Sequence, residues 1–119
     1  MTTVMIVDND HTTIKLLSQL LELEGFDVIL AEDPEGAMQA ARANPSLDVV
    51  LIDYHLSDDV KGTQIIEQLR REGFADLPIV VMSGMNVESE SLASGADHFL
   101  AKPFEPNDLP VILRQAIGE

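Results

Sequence analysis

The sequence predicts an α/β domain, a doubly wound parallel sheet of five strands with five helices. Three observations point there. Short β-branched or aliphatic runs alternate with stretches of helical period along the whole chain. The third such run is apolar throughout, as expected of a strand covered on both faces. Four of the runs lead directly into polar residues, namely Asp8-Asn9-Asp10, Asp53, Ser83 and Lys102. In an open parallel sheet, residues just past the carboxyl ends of the strands converge on one crevice.

Val4 to Val7 is the first strand. Ile14, Leu17, Leu20, Leu21 and Leu23 then mark a helix face that Gly25 closes. Asp27 to Leu30 reads as the second strand. Asp33-Pro34 is a helix start, with Asp as N-cap and Pro at the first helical position. Ala37, Ala40 and Ala41 give that helix a small apolar face for close packing, and Asn44-Pro45-Ser46 ends it. Leu47 to Ile52 is the third strand, followed by a polar loop from Asp53 to Lys61. Ile65, Ile66 and Leu69 face a third helix that stops near Gly73, and residues 78–82 form the fourth strand. Val87 to Ser94 leaves room for about two helical turns before Gly95. Asp97 to Leu100 is a short fifth strand, and Leu109, Ile112, Leu113 and Ala116 face the last helix. Residues 1–119 are thus expected to form one domain, with nothing left for a second.

At 119 residues and 45% hydrophobic, the chain can bury a core without staples. It has no cysteine, which excludes disulfides and thiolate chemistry. The start Met1-Thr2-Thr3-Val4 lacks the basic and apolar regions of a signal peptide, and no apolar stretch is long enough to span a bilayer. A soluble, cytoplasmic protein is expected. Seven Lys and Arg against 21 Asp and Glu give a net charge of −14. Such a surface repels a nucleic acid or an anionic membrane, so neither is an expected partner.

Each polar position has a plain structural role available. Asp10 can cap the first helix, Asp53 can be a loop acid, Ser83 a turn serine and Lys102 a surface lysine. Their joint placement at strand ends argues for chemistry instead. Asp8, Asp10 and Asp53 suit a hard cation such as Mg²⁺, which takes oxygen ligands and keeps several waters. A carboxylate at the end of a central strand can also act as a nucleophile toward phosphorus. Gly84 leaves space beside Ser83, whose hydroxyl can donate to a phosphoryl oxygen. Lys102 can stabilise phosphoryl charge, and Pro103 makes the bond before it a candidate for the cis form.

These residues resemble the signature of the receiver domain of two-component response regulators. The matching segments are Val7-Asp8-Asn9-Asp10, Ile52-Asp53-Tyr54-His55-Leu56, Val81-Met82-Ser83-Gly84 and Ala101-Lys102-Pro103-Phe104, with Gly95-Ala96-Asp97 before the fifth strand. The resemblance implies a flavodoxin- or CheY-like sheet of order 2-1-3-4-5. It implies that Asp53 accepts a phosphoryl group from a phosphohistidine of a histidine kinase or phosphotransfer protein. Mg²⁺ would be held by Asp8, Asn9, Asp53 and the His55 backbone carbonyl, with Asp10 as a further candidate. Ser83 and Lys102 would contact the phosphoryl group, Ser83 and Phe99 would form the switch, and output would pass to a downstream protein partner. Such a domain is no enzyme beyond assisting its own phosphorylation and dephosphorylation.

The chain departs from the family pattern in several places. Asn9 replaces the commoner second acid, and the loop from Asp53 to Gly62 lacks the usual proline and runs about one residue long. The span from Ser83 to Lys102 is about one helical turn short. Phe99 carries no hydroxyl, so it can signal only by packing. These departures keep a second reading open, a receiver-like docking module that is not phosphorylated. A third comes from Asp8-Asn9-Asp10-His11-Thr12, which matches the D-x-D-x-T motif of haloacid-dehalogenase-like phosphohydrolases, with Asp8 as nucleophile and Asp10 as general acid. Against it, no acidic pair follows Lys102 on a further strand, and Asp53 would have no role.

Overall fold

Alternation of side chains along the strands creates two apolar layers. The computed structural model describes residues 2–57 and 59–119. Met1 and Asp58, the start of the expected domain and one residue of the polar loop, lie outside that description. Strands β1 (Thr2–Val7), β2 (Phe26–Ala31), β3 (Val49–Asp53), β4 (Ile79–Ser83) and β5 (His98–Ala101) form one parallel sheet in the order β2-β1-β3-β4-β5. Between and after them run α1 (His11–Leu23), α2 (Pro34–Ala43), α3 (Gly62–Arg71), α4 (Glu88–Ala93) and α5 (Asp108–Ile117).

Met5, Val7, Val50, Ile52, Ile79 and Val81 point to one face of the sheet. There they pack with Ala37, Met38 and Ala41 of α2 and Ile65, Ile66 and Leu69 of α3. Val4, Ile6, Leu51, Val80 and Met82 point to the other face and meet Leu17 and Leu21 of α1 and Leu109 and Leu113 of α5. The three central strands therefore feed both cores, which is why they read as unbroken apolar runs. Each fully buried aliphatic side chain contributes roughly 1.5–3 kcal/mol, so these layers dominate the driving force for folding.

Element ends follow local chemistry. Asp33 Oδ1 accepts the Gly36 N–H at 2.7 Å and Pro34 occupies the first helical position, as the sequence suggests. Gly25 follows α1 with φ 92°, a left-handed turn that a side chain would disfavour. β3 begins at Val49 rather than Leu47, because the Asp48 carboxylate takes the Thr3 N–H at 2.8 Å. β5 begins at His98 rather than Asp97, because the Asp97 carboxylate takes the Ile79 N–H at 2.9 Å. α4 spans six residues where two turns were expected, and its N-cap Val87 supplies no side-chain bond. Arg70, at the end of α3, donates to the carbonyls of Phe74, Leu77 and Gly95 and pairs with Asp97 at 3.2 Å, tying two loops to one helix. Among the described residues, no helix is long and apolar enough to cross a membrane.

Candidate functional site

The carboxyl ends of β1, β3, β4 and β5 bring Asp8, Asp53, Ser83 and Lys102 to one edge of the sheet. Parallel register places them there: Val7 lies opposite Ile52, Asp53 opposite Met82, and Ser83 opposite Ala101. Asp8 and Asp53 therefore stand at one level, with Ser83 one residue and Lys102 two residues beyond it. The Lys102 Nζ donates to Asp53 Oδ1 at 2.9 Å, with both side chains mostly covered. Among the described residues, Asp53 Oδ2 takes no hydrogen bond. Asp53 therefore keeps one oxygen engaged by a cation and one available.

Asp8 is 2% exposed. Its Oδ1 accepts the Asp10 N–H at 3.0 Å, but its Oδ2 is buried with no partner among the described residues. Burial raises the Asp8 pKa above its ordinary 3.8; the Asp10 N–H lowers it, Asp53 pushes it up and Lys102 opposes that push. A buried carboxylate oxygen without a donor, beside a second carboxylate, is the environment a hard cation would relieve. The available donors are all oxygens, and they fit Mg²⁺. Among the described residues, no group of three His, Cys, Asp or Glu side chains converges, consistent with an amide at position 9.

Asp10 takes a different course. It is the N-cap residue of α1, and its carboxylate is exposed and accepts the Thr13 hydroxyl, which lowers its pKa. That side chain is engaged by Thr13 of the same helix, yet it accepts no backbone N–H of α1 as a side-chain cap would. The Asn9 amide nitrogen donates to the Leu56 carbonyl across the crevice. His55 forms an isolated antiparallel bridge with Lys61, which closes the polar loop at its base. Ser83 is 5% exposed and its Oγ accepts the Met85 N–H at 3.0 Å, which leaves its own hydrogen free to donate. The Lys102 N–H donates to the Ser83 carbonyl at 2.8 Å, and the Lys102–Pro103 peptide bond is cis. Phe99 sits opposite Val81 and is partly buried against the core beneath α2 and α3.

Two features of the site escaped the sequence reading. Gly62 opens α3 directly beside β3, where a Cβ would stand 2.5 Å from the Asp53 carbonyl oxygen. A glycine at the start of a helix after a polar loop was the available signal. The Tyr54 ring is buried next to Asp53, and its hydroxyl donates to the Glu90 carboxylate on α4. No pattern in the sequence links residues that far apart.

An open parallel sheet of order 2-1-3-4-5, with two carboxylates, a hydroxyl and an ammonium at its carboxyl edge, is the architecture of a receiver domain. Residues 4–114 match the response regulator receiver domain family, and the chain belongs to that family. It is 35% identical over 117 residues to the putative two-component response regulator ARR21 of Arabidopsis thaliana, a match over 97% of this chain and 19% of that protein. It is 34% identical over 121 residues to the KDP operon transcriptional regulatory protein KdpE of Escherichia coli, covering 98% of this chain and 52% of that one. The chain thus spans between about a fifth and about half of these relatives. Among solved structures, a putative response regulator from Chloroflexus aurantiacus superposes with TM-score 0.89 at 28% identity, over 99% of this chain and 98% of that one. A two-component response regulator from Clostridium difficile gives 0.87 at 27% identity, over 98% and 96%. The family assignment also sets aside the phosphohydrolase reading of Asp8 and Asp10.

Proposed function

We propose that residues 1–119 form one receiver unit that accepts a phosphoryl group on Asp53 and signals through a protein partner. The observation that carries this reading is the Lys102–Asp53 contact, which leaves the second carboxylate oxygen of Asp53 available beside a buried Asp8. An oxygen of Asp53 attacks the phosphorus of a phosphohistidine on a histidine kinase or phosphotransfer protein. A P–O bond forms, the P–N bond breaks, and the imidazole leaves with the electron pair and is protonated by solvent. Lys102 partners the carboxylate before transfer and the phosphoryl oxygens after it. The Ser83 hydroxyl, whose hydrogen is free, donates to a phosphoryl oxygen, and Gly84 leaves room for it. Attack of water on phosphorus later returns the carboxylate and releases phosphate.

Asp8, Asp53, the His55 carbonyl and the Asn9 amide oxygen are the groups that would hold Mg²⁺. When bound, the cation offsets the charge of the carboxylates and of the incoming phosphoryl group. Asp10, turned to Thr13, is the weakest of the candidate ligands. The unit catalyses nothing beyond its own phosphorylation and dephosphorylation. Ser83 and the packing of Phe99 carry the change of state toward α4 and β5. The charge of −14 disfavours direct nucleic-acid or anionic-membrane contact, and a cytoplasmic location fits the absence of cysteine.

The test is intact-mass analysis after incubation with acetyl phosphate, with Mg²⁺ or with EDTA, on the native chain and Asp53→Asn. The reading requires a single phosphoryl adduct that depends on Mg²⁺ and disappears in the variant. No adduct on the native chain would leave a docking module in its place. An adduct that survives Asp53→Asn but is lost in Asp8→Asn would return the hydrolase reading.

A further inference from the structure

Asn9 stands where the receiver pattern more commonly has an acid, and its contact with Leu56 gives the exchange a purpose. The Asn9 Nδ2 donates to the Leu56 carbonyl, 47 residues away in the loop after β3. A carbonyl can only accept, so the amide nitrogen must face it and the amide oxygen is turned elsewhere. An ionised acid has no donor to offer. It would set a carboxylate oxygen against the Leu56 oxygen, and a cation would be needed to hold the two together.

The strapped loop has anchors of its own, the His55–Lys61 bridge at its base and the buried Leu56 side chain, and the strap acts beside them. The N–H groups of Leu56 and Ser57 both donate to the Val60 carbonyl at 3.2 Å, and the Leu56 side chain is 2% exposed. His55, whose carbonyl is a proposed Mg²⁺ ligand, immediately precedes Leu56. The grip of Asn9 is therefore one residue from that oxygen.

We infer that Asn9 is a positioning residue, whose amide N–H straps the loop after β3 to the turn after β1 in the metal-free protein. The His55 carbonyl is then in place before a cation arrives, whereas an acid at position 9 would make loop order depend on the cation. The consequence for Mg²⁺ rests on the function proposed above; the strap itself does not.

Amide hydrogen exchange at Leu56 and Ser57, read by NMR, tests the two parts separately. It is run on the native chain, Asn9→Asp and Asn9→Ala, in EDTA and then in saturating Mg²⁺. In EDTA both variants should exchange about fivefold faster than the native chain, the ratio that corresponds to one net hydrogen bond. Mg²⁺ should restore protection in Asn9→Asp and change the native loop little. Equal protection of all three proteins in EDTA would overturn the strap. If the difference in EDTA holds while Mg²⁺ shifts no amide in any of the three, the strap stands and the Mg²⁺ reading falls.

Discussion

Replacing Gly62 by alanine should cost about 2 kcal/mol of stability, and the reason is steric rather than conformational. The φ of Gly62 is not positive, so alanine suits its backbone and even favours the helix it begins, by at most about 1 kcal/mol. The added Cβ, however, would stand 2.5 Å from the Asp53 carbonyl oxygen and 3.2 Å from its carbon. Neither side can retreat freely. The Gly62 N–H is bonded to the Tyr54 carbonyl at 2.6 Å, the Tyr54 N–H to Met82 at 2.9 Å, and Asp53 lies in the ladder with β4. Overpacking against fixed backbone costs roughly 1–3 kcal/mol, and little of that is returned by helix propensity at a first helical position. For a chain of this size the loss corresponds to about 8 °C in Tm. Thermal and urea melts followed by far-ultraviolet circular dichroism measure it. Gly84→Ala is the internal control, since its Cβ would meet only the Lys102 Cβ at 4.0 Å and its φ is also not positive. That variant should stay within about 0.5 kcal/mol of the native chain. Should Gly62→Ala melt together with Gly84→Ala, close approach to the Asp53 carbonyl is not what requires glycine at position 62.

Two further outcomes follow from buried and bonded titratable groups. Burial raises the Asp8 pKa, so ionising Asp8 works against the folded state; its favourable contribution is full below about pH 3.8 and is lost as pH rises through the folded value. Asp8→Asn should therefore raise the Tm of the protein in EDTA at neutral pH, with the gain vanishing in acid; a gain that persists at pH 3 or below, on the order of a unit under the ordinary value, would contradict the burial argument. The Glu90 bond, with burial second, raises the Tyr54 pKa above 10.0, so its support of the fold is full below that value and lost as pH climbs through the folded one. Tyr54→Phe should cost about 1 kcal/mol in urea melts, and Glu90→Ala should bring the phenol titration, followed by ultraviolet absorbance, back down. An unmoved titration would show that Glu90 is not the partner.

The layers of this fold were legible because burial leaves a local trace. Val49 to Ile52 is apolar on both faces, and Asp33-Pro34 and Gly25 punctuate helices by rules that act within four residues. The crevice was legible for a related reason, since strand ends in a parallel sheet are forced to one edge. Strand boundaries were less so, because the Asp48 and Asp97 side chains take N–H groups of neighbouring strands that no local pattern announces. Asp10 shows the same limit: a carboxylate beside two candidates for a cation site turned instead to Thr13, three residues on in its own helix. Contacts such as Asn9 with Leu56 and Tyr54 with Glu90 depend on tertiary placement alone.

The pairing of Lys102 with Asp53 joins β3 to β5, two strands that never touch, because β4 lies between them. It bridges the two intervening ladders, β3 with β4 and β4 with β5. Docking of β1 with β3 is enough to bring Asp8 and Asp53 together, whereas Lys102 reaches them only from the end of β5. The contact closes a loop of 49 residues, at an entropic cost that grows with loop length, and the charge balance of the crevice depends on that closure. The last strand of the sheet thus supplies the counter-charge for acids that the first and third strands bring together.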